Sequence, residues 1–135
     1  MTFELTGLDG KVAIVTGAGR MRSIGRQMAI AFAKAGCDVV ATGTGRSPDR
    51  YPDDEKAAGW RDIDSVADEV RAFGQRALPL VASVAEEADV DRIMQATLAE
   101  FGRADFLVNN AASSRGHDRV PVVEMPTDEW MRVIS

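Results

Sequence analysis

The sequence predicts an α/β domain in which helices cover both faces of a doubly wound parallel sheet. Short apolar and β-branched runs alternate four times with helical patterns along the chain. The first run breaks directly into a glycine-rich turn that opens a helix, VAIVTGAGRMRSIG over 12–25. A turn of this kind at the carboxyl end of a parallel strand is suited to binding a pyrophosphate. The order of elements therefore favours a nucleotide-binding domain.

Composition and charge narrow the class of protein further. The 135 residues are 45% hydrophobic and 27% charged, which is typical of one globular domain with its own core. A net charge of −5 argues against nucleic-acid and anionic membrane partners, which both favour a basic face. The single cysteine, Cys37, cannot form an internal disulfide, and the amino terminus lacks a signal-peptide pattern. We therefore expect a cytoplasmic protein with no membrane span.

The first strand is predicted over 11–16, the first helix over about 23–35 and the second strand over 38–42. Gly36 is placed to end the helix in a left-handed conformation. Apolar residues at helical spacing are expected to face the sheet. These are Ile24, Met28, Ala31, Phe32 and Ala35.

Residues 43–60 are predicted to form an unusually long loop. Pro48 and Pro52 prohibit a central strand, and the charged residues between them favour solvent. The run 53–55, Asp-Asp-Glu, is interpreted as a solvated face and not as a metal site, because consecutive residues rarely converge on one ion. Tyr51 and Trp60 are interpreted as structural residues.

The second half continues the alternation, with a helix over 62–73, a strand over 77–82, a third helix ending at Gly102 and a strand over 105–108. Ser83 and Glu86 form a predicted capping box for the third helix. The expected strand order is 3-2-1-4, which brings the first turn and residues 109–112 into one pocket at the carboxyl ends of the strands. The predicted inward residues of the two helices are Ile63, Val66, Val70, Phe73, Val90, Ile93, Met94, Leu98 and Phe101.

Three segments in this order resemble the short-chain dehydrogenase/reductase family. Thr16-Gly17, five further residues and Ser23-Ile24-Gly25 resemble the family's Thr-Gly-x3-Gly-x-Gly turn, although the turn here is two residues longer and has serine for the middle glycine. Residues 109–112, Asn-Asn-Ala-Ala, resemble its Asn-Asn-Ala-Gly segment, and 127–134 resemble the start of its next long helix. The resemblance implies the amino-terminal part of a Rossmann-type domain, incomplete relative to the family.

The resemblance also implies which residues contact a dinucleotide cofactor. The turn would wrap the pyrophosphate, Ser23 and Ile24 would reach the diphosphate and nicotinamide ribose, and the segment after the fourth strand would lie beside that ribose. Ser83 and Val84 would line the adenine, although helix capping explains Ser83 equally well. The predicted cofactor-binding residues are Gly17, Ala18, Gly19, Arg20, Ser23, Ile24, Gly25, Arg46, Ser83, Val84, Asn109, Ala111 and Ala112.

The end of the second strand suggests which cofactor is bound. NAD enzymes place an acid there, and NADP enzymes place a cation near the extra phosphate. Residues 42–46 contain no acid but do contain Arg46, and Arg20 and Arg22 lie in the first turn. Because guanidinium groups bind phosphate well, NADP(H) is favoured over NAD(H). Alternatively, Arg46 is a solvated loop charge.

The catalytic serine and Tyr-x3-Lys pair that the resemblance implies are not found in these residues. The single tyrosine, Tyr51, has its nearest following lysine, Lys56, at the wrong spacing. His117 has a suitable ordinary pKa but no visible partner, and is predicted to lie in a loop near the substrate entrance. No catalytic residue is therefore assigned.

The predicted function is that of an NAD(P)-dependent oxidoreductase that transfers hydride between its cofactor and a carbonyl or alcohol, similar to a 3-ketoacyl reductase. A catalytically silent nucleotide-binding module is one alternative. An enoyl-thioester reductase, which the Gly-x5-Ser-Ile spacing resembles, is the other. The expected partner is a small-molecule substrate, and the complete protein is expected to be a homo-oligomer.

Overall fold

The computed structural model describes residues 5–113 and 118–134. It contains one four-stranded parallel sheet in the order β3-β2-β1-β4, which confirms the predicted Rossmann-type fold class and strand order. The strands are β1 (Val12–Val15), β2 (Asp38–Gly43), β3 (Ala77–Val81) and β4 (Phe106–Val108). The helices are α1 (Ile24–Lys34), α2 (Asp53–Ala57), α3 (Ile63–Ala72), α4 (Glu87–Phe101) and α5 (Thr127–Ile134).

The two central strands are buried because each face of the sheet is covered by helices. On one face, Val15 and Val39 pack with side chains of α1 and α3. On the other face, Ile14 and Val40 pack with Ile93 of α4. Continuous apolar runs such as Val12–Val15 are what a parallel strand buried on both faces requires.

Helix α1 presents a different face to the sheet from the one predicted. Its buried residues are the small Gly25, Ala29 and Ala33, whereas Ile24 is 71% exposed. The reason is close packing, because a Cβ at Gly25 would lie 2.9 Å from the Cα of Ala18. Only small side chains fit between helix and sheet at this distance.

Residues 43–60 are more ordered than predicted. They contain a 3-10 turn (Pro48–Arg50) and α2 (Asp53–Ala57). Pro52 precedes α2 and acidic residues fill its first turn, both of which favour helix initiation. The prediction of a solvated acidic face is wrong for Glu55, which is only 3% exposed.

Helix α4 begins later than predicted, because Ser83 does not cap it. Its N-cap residue is Glu86, and the backbone N–H of Ser83 instead donates to the Asp89 carboxylate at 2.7 Å. The buried face of α4 contains fewer residues than predicted, namely Ile93 and Thr97. Its other predicted inward residues lie partly exposed, since β4 has three residues and pairs with β1 alone among the described strands. Partly exposed residues are Val90, Met94 and Leu98, together with Phe73 of α3.

No helix among residues 5–113 and 118–134 is both long enough and apolar enough to cross a membrane.

Candidate dinucleotide site

The glycine-rich turn after β1 lies directly against the segment that follows β4. Gly17 has a φ of 68°, and a Cβ on it would lie 2.7 Å from the Cα of Ala111. Glycine is therefore required twice at this position, for its left-handed backbone and for its close contact with the neighbouring chain. The predicted meeting of the turn with residues 109–112 at the carboxyl ends of the strands is present.

Hydrogen bonds between Thr16 and Asn110 hold these two segments together. The Thr16 hydroxyl donates to the Val108 carbonyl at 3.1 Å and accepts from the backbone N–H groups of Asn110 and Ala111 at 3.1 and 3.0 Å. The Asn110 amide donates to the carbonyls of Thr16 and Gly17 at 3.0 and 3.1 Å. Asn110 thus braces the turn, while Asn109 and Ala112 remain exposed beside it.

Ser23 caps the helix that follows the turn. Its hydroxyl accepts from the Arg26 N–H at 3.2 Å and donates to the Arg20 carbonyl at 2.8 Å. The side chain is therefore committed to closing the turn onto α1, and Ile24, the first helical residue, projects into solvent. The lengthened turn retains a capped, exposed helix N-terminus of the kind that binds anions.

The turn has backbone donors suited to a phosphate group. In the described part of the chain, the N–H groups of Gly19 and Arg20 donate no hydrogen bond. A side chain at Gly17 or Gly19 would displace Ala111 or the Asp62 carboxylate, so the turn needs glycine at both positions to keep this conformation. Ala18, between them, is fully buried, and its N–H donates to the Thr42 carbonyl at 2.9 Å. The residues present therefore fit the pyrophosphate of a dinucleotide.

Residues 46–62 support this turn through direct contacts. This supporting role was not predicted from the sequence. The Trp60 indole N–H donates to the Gly19 carbonyl at 2.7 Å. Glu55 accepts from the Met21 backbone N–H at 2.9 Å. A tryptophan and a tyrosine within a charged stretch were the available signal, because large aromatic residues in such a segment need a surface to pack on.

Arg46 is enclosed in this support, where its guanidinium is paired with two acidic side chains. Its guanidinium contacts Glu55 at 3.0 Å and Asp62 at 3.3 Å, and lies 4.9 Å from the ring centroid of Tyr51. Burial acts to lower the pKa of Arg46, but the hydrogen bond to Glu55 and the charges of Asp62 and Glu55 raise it overall. The pairing removes the free charge on which the expected phosphate contact of Arg46 rests.

Two arginines and a tyrosine near the turn differ in their exposure and in their contacts. Arg22 forms an exposed ion pair with Asp54 at 2.7 Å, and Arg20 is exposed. Tyr51 is buried, and burial together with the charge of Asp62 raises its pKa. These surroundings stabilise a neutral phenol, as expected for a structural tyrosine.

The predicted adenine residues lie at the same edge of the sheet. Ser83 and Val84 follow β3, and the N–H of Ala82 donates to the carbonyl of Gly43, the last residue of β2, at 2.8 Å. The Ser83 hydroxyl accepts from the Ala85 N–H at 3.3 Å, and the Val84 side chain is exposed.

Two predictions about acid–base and metal chemistry concern other parts of the chain. His117 lies outside the described residues. Within residues 5–113 and 118–134, no group of three or more His, Cys, Asp or Glu side chains is placed to hold a metal ion.

Comparisons with known proteins agree with this geometry. The family model described as short chain dehydrogenase matches residues 11–135. The chain is 38% identical over 110 residues to a 12alpha-hydroxysteroid dehydrogenase of Clostridium sp., covering 78% of this chain and 38% of that protein. It is 35% identical over 131 residues to a 3-oxoacyl-[acyl-carrier-protein] reductase of Synechocystis sp., covering 97% and 46%.

Solved structures show the same fold. The crystal structure of an NAD+-bound xylitol dehydrogenase matches with a TM-score of 0.73 and 28% identity, covering 94% of this chain and 42% of that one. Carveol dehydrogenase from Mycobacterium avium in complex with NAD matches with a TM-score of 0.74 at 22% identity, covering 93% and 43%, which shows the fold alone. The chain spans less than half the length of these relatives. With its sheet, glycine-rich turn and matched family model, this chain belongs to the short-chain dehydrogenase family.

Proposed function

We propose that this chain is the dinucleotide-binding part of an oxidoreductase that transfers hydride between a nicotinamide cofactor and a carbonyl or alcohol. The observation that carries the proposal is the close contact between Gly17 and Ala111. It joins a turn with free backbone donors to a second segment at the carboxyl ends of the strands, where dinucleotides bind in doubly wound sheets. The names of the relatives, dehydrogenases and a reductase, support the reaction class.

In this proposal the N–H groups of Gly19 and Arg20, with those of the first turn of α1, hold the pyrophosphate. Ser23 acts by fixing the turn, and Ile24 lies beside the bound diphosphate. Asn109, Ala111 and Ala112 border the nicotinamide ribose. A nicotinamide cofactor bound here would donate hydride to a carbonyl or accept it from an alcohol, and the chain's own residues would position the cofactor. The remaining proposed contacts are those of Ala18, Gly25, Ser83 and Val84.

The choice between NAD(H) and NADP(H) is a separate part of the proposal. The preference for NADP(H) predicted from the sequence stays a prediction. Arg20, which is exposed, supports it. The pairing of Arg46 with Glu55 and Asp62 weighs against it, because one guanidinium faces two carboxylates.

A catalytically silent nucleotide-binding module is the second candidate. Tyr51 is buried among charged groups and is followed at the fourth position by Glu55, so it does not form a Tyr-x3-Lys pair. The Ser23-Ile24 spacing supports a third candidate, an enoyl-thioester reductase. We further propose a small-molecule substrate, a cytoplasmic location and a homo-oligomeric complete protein.

Cofactor binding tests the proposal through NADH fluorescence. We expect saturable binding that Ile24→Glu weakens by about tenfold or more, because the new carboxylate lies beside the pyrophosphate at the helix N-terminus. Ala31→Glu is the matched control, since it adds the same charge to an exposed position two turns along α1. Absence of binding by the unaltered protein would reject the proposal.

Turnover then separates the candidates. The complete protein that contains this chain is incubated with NADH or NADPH and with 3-ketoacyl or enoyl thioesters, and cofactor oxidation is followed at its absorbance band. Oxidation with ketoacyl substrates supports the carbonyl reductase, and oxidation with enoyl substrates supports the enoyl reductase. Cofactor binding by the complete protein without cofactor oxidation on either thioester favours the silent module.

A further inference from the structure

The last residue of β2 lies close to the side chain of Asp62, an acid that comes from the start of α3 and not from β2 itself. A Cβ added to Gly19 would overlap the Asp62 carboxylate, so the side chain fills the space that this glycine leaves open. The Asp62 Oδ1 atom is also 3.9 Å from the ideal Cβ position of Gly43, the last residue of β2. Asp62 thus lies between the phosphate turn and the end of β2.

The backbone and side chain of Asp62 are both unusual for a residue at a helix start. Asp62 is the N-cap of α3, yet its side chain makes no capping hydrogen bond. Its φ of 56° and ψ of −133° form a conformation that L residues rarely adopt, and no other non-glycine residue in the described ranges has a positive φ. Residues held in such rare backbone conformations are concentrated at active sites and ligand-binding sites.

Asp62, Glu55 and Arg46 together carry a net negative charge. Arg46 is shared between Asp62 and Glu55, which are 9% and 4% exposed in their side chains. The Asp62 carboxylate accepts from the Arg46 guanidinium and from the Arg46 backbone N–H, both at 3.3 Å. A carboxylate has about four lone-pair directions, so acceptor capacity remains for a further donor.

We propose that Asp62 is the residue that selects NAD(H) over NADP(H) in this protein, an inference that rests on the proposed dinucleotide site. An acid at the end of the second strand accepts a hydrogen bond from the 2′-hydroxyl of the adenosine ribose, and the same charge repels a 2′-phosphate. Here the start of α3 supplies that acid, which explains why residues 42–46 contain none. The proposal reverses the cofactor preference predicted from Arg46.

The test compares dissociation constants for NADH and NADPH between two variants of equal charge. Asp62→Asn keeps the shape of the side chain and removes its charge, and Asp64→Asn makes the same change at an exposed position in the first turn of α3. We expect the unaltered protein and Asp64→Asn to prefer NADH. Asp62→Asn is expected to reduce that preference by about ten- to a hundredfold.

A second variant distinguishes the loss of the carboxylate from a disturbed fold. Asp62→Gly removes the carboxylate and suits the positive φ, so it relieves backbone strain, and it is expected to reduce the NADH preference in the same way. Tighter binding of NADPH by the unaltered protein, or an unchanged ratio in both Asp62 variants, would overturn the inference while leaving the proposed function intact. Absence of binding of either cofactor would reject both.

Discussion

Replacing Gly17 by alanine tests the contact on which the proposed site depends. At a φ of 68°, an L residue costs about 1–2 kcal/mol relative to glycine. The added Cβ would also lie 2.7 Å from the Ala111 Cα and 3.1 Å from its backbone nitrogen. Relieving such overpacking costs about 1–3 kcal/mol. The free energy of unfolding is therefore expected to fall by about 2–5 kcal/mol, out of the 5–15 kcal/mol that is typical of a domain.

Gly102→Ala is the matched control for this substitution. Gly102 has a φ of 72°, and nothing lies within 4 Å of the position of its added Cβ. It should therefore lose only the backbone contribution of about 1–2 kcal/mol. Urea unfolding followed by circular dichroism measures both variants. Equal losses would refute the argument that the turn after β1 is pressed against the segment after β4.

Three further predictions concern other parts of the molecule. Trp60→Phe removes the indole bond to the carbonyl of the glycine-rich turn and should weaken NADH binding about fivefold in a fluorescence titration; unchanged affinity would show that this bond does not position the turn. The pKa of Asp105 is lowered by its hydrogen bonds with Arg103 and the Val12 N–H. Its stabilising contribution is fully present above the ordinary aspartate pKa of about 4 and is lost as pH falls through the lower folded pKa. In the Asp105→Asn variant, the free energy of unfolding should therefore fall less as the pH is lowered than in the unaltered protein. The same pH dependence in both proteins would contradict this. Burial raises the pKa of Cys37, which is 0% exposed, so a thiol reagent should label it in urea but not in the native protein.

The architecture could be predicted from the sequence because its signals are local and repeated. Each apolar run ends in a turn, and Gly36 and Gly74 have the positive φ expected of glycines that end helices. The inward face of α1 could not be predicted from periodicity, which weights large residues such as Ile24. The close approach of Gly25 to Asn110 selects the small residues instead, and that distance is a property of the packed fold.

The candidate site likewise has features that could be predicted from the sequence and features that could not. Its two chain segments could be predicted to meet, since the topology of a parallel sheet brings the carboxyl ends of its strands to one edge. The contacts of Glu55, Trp60 and Asp62 with the turn could not, because contacts between residues so far apart in the sequence leave no local pattern. Arg46 shows the consequence, since its sequence neighbours suggest a free cation and its spatial neighbours neutralise it.

The most direct test of the proposed dinucleotide site is a map of backbone amide chemical shifts during titration with NAD+. The account predicts that the amides of 17–25 and 109–112 shift together and saturate at one affinity, with Gly19 and Arg20 among the largest changes. Shifts confined to residues distant from the turn after β1, or no saturable shifts, would contradict the assignment of this edge of the sheet as the cofactor site.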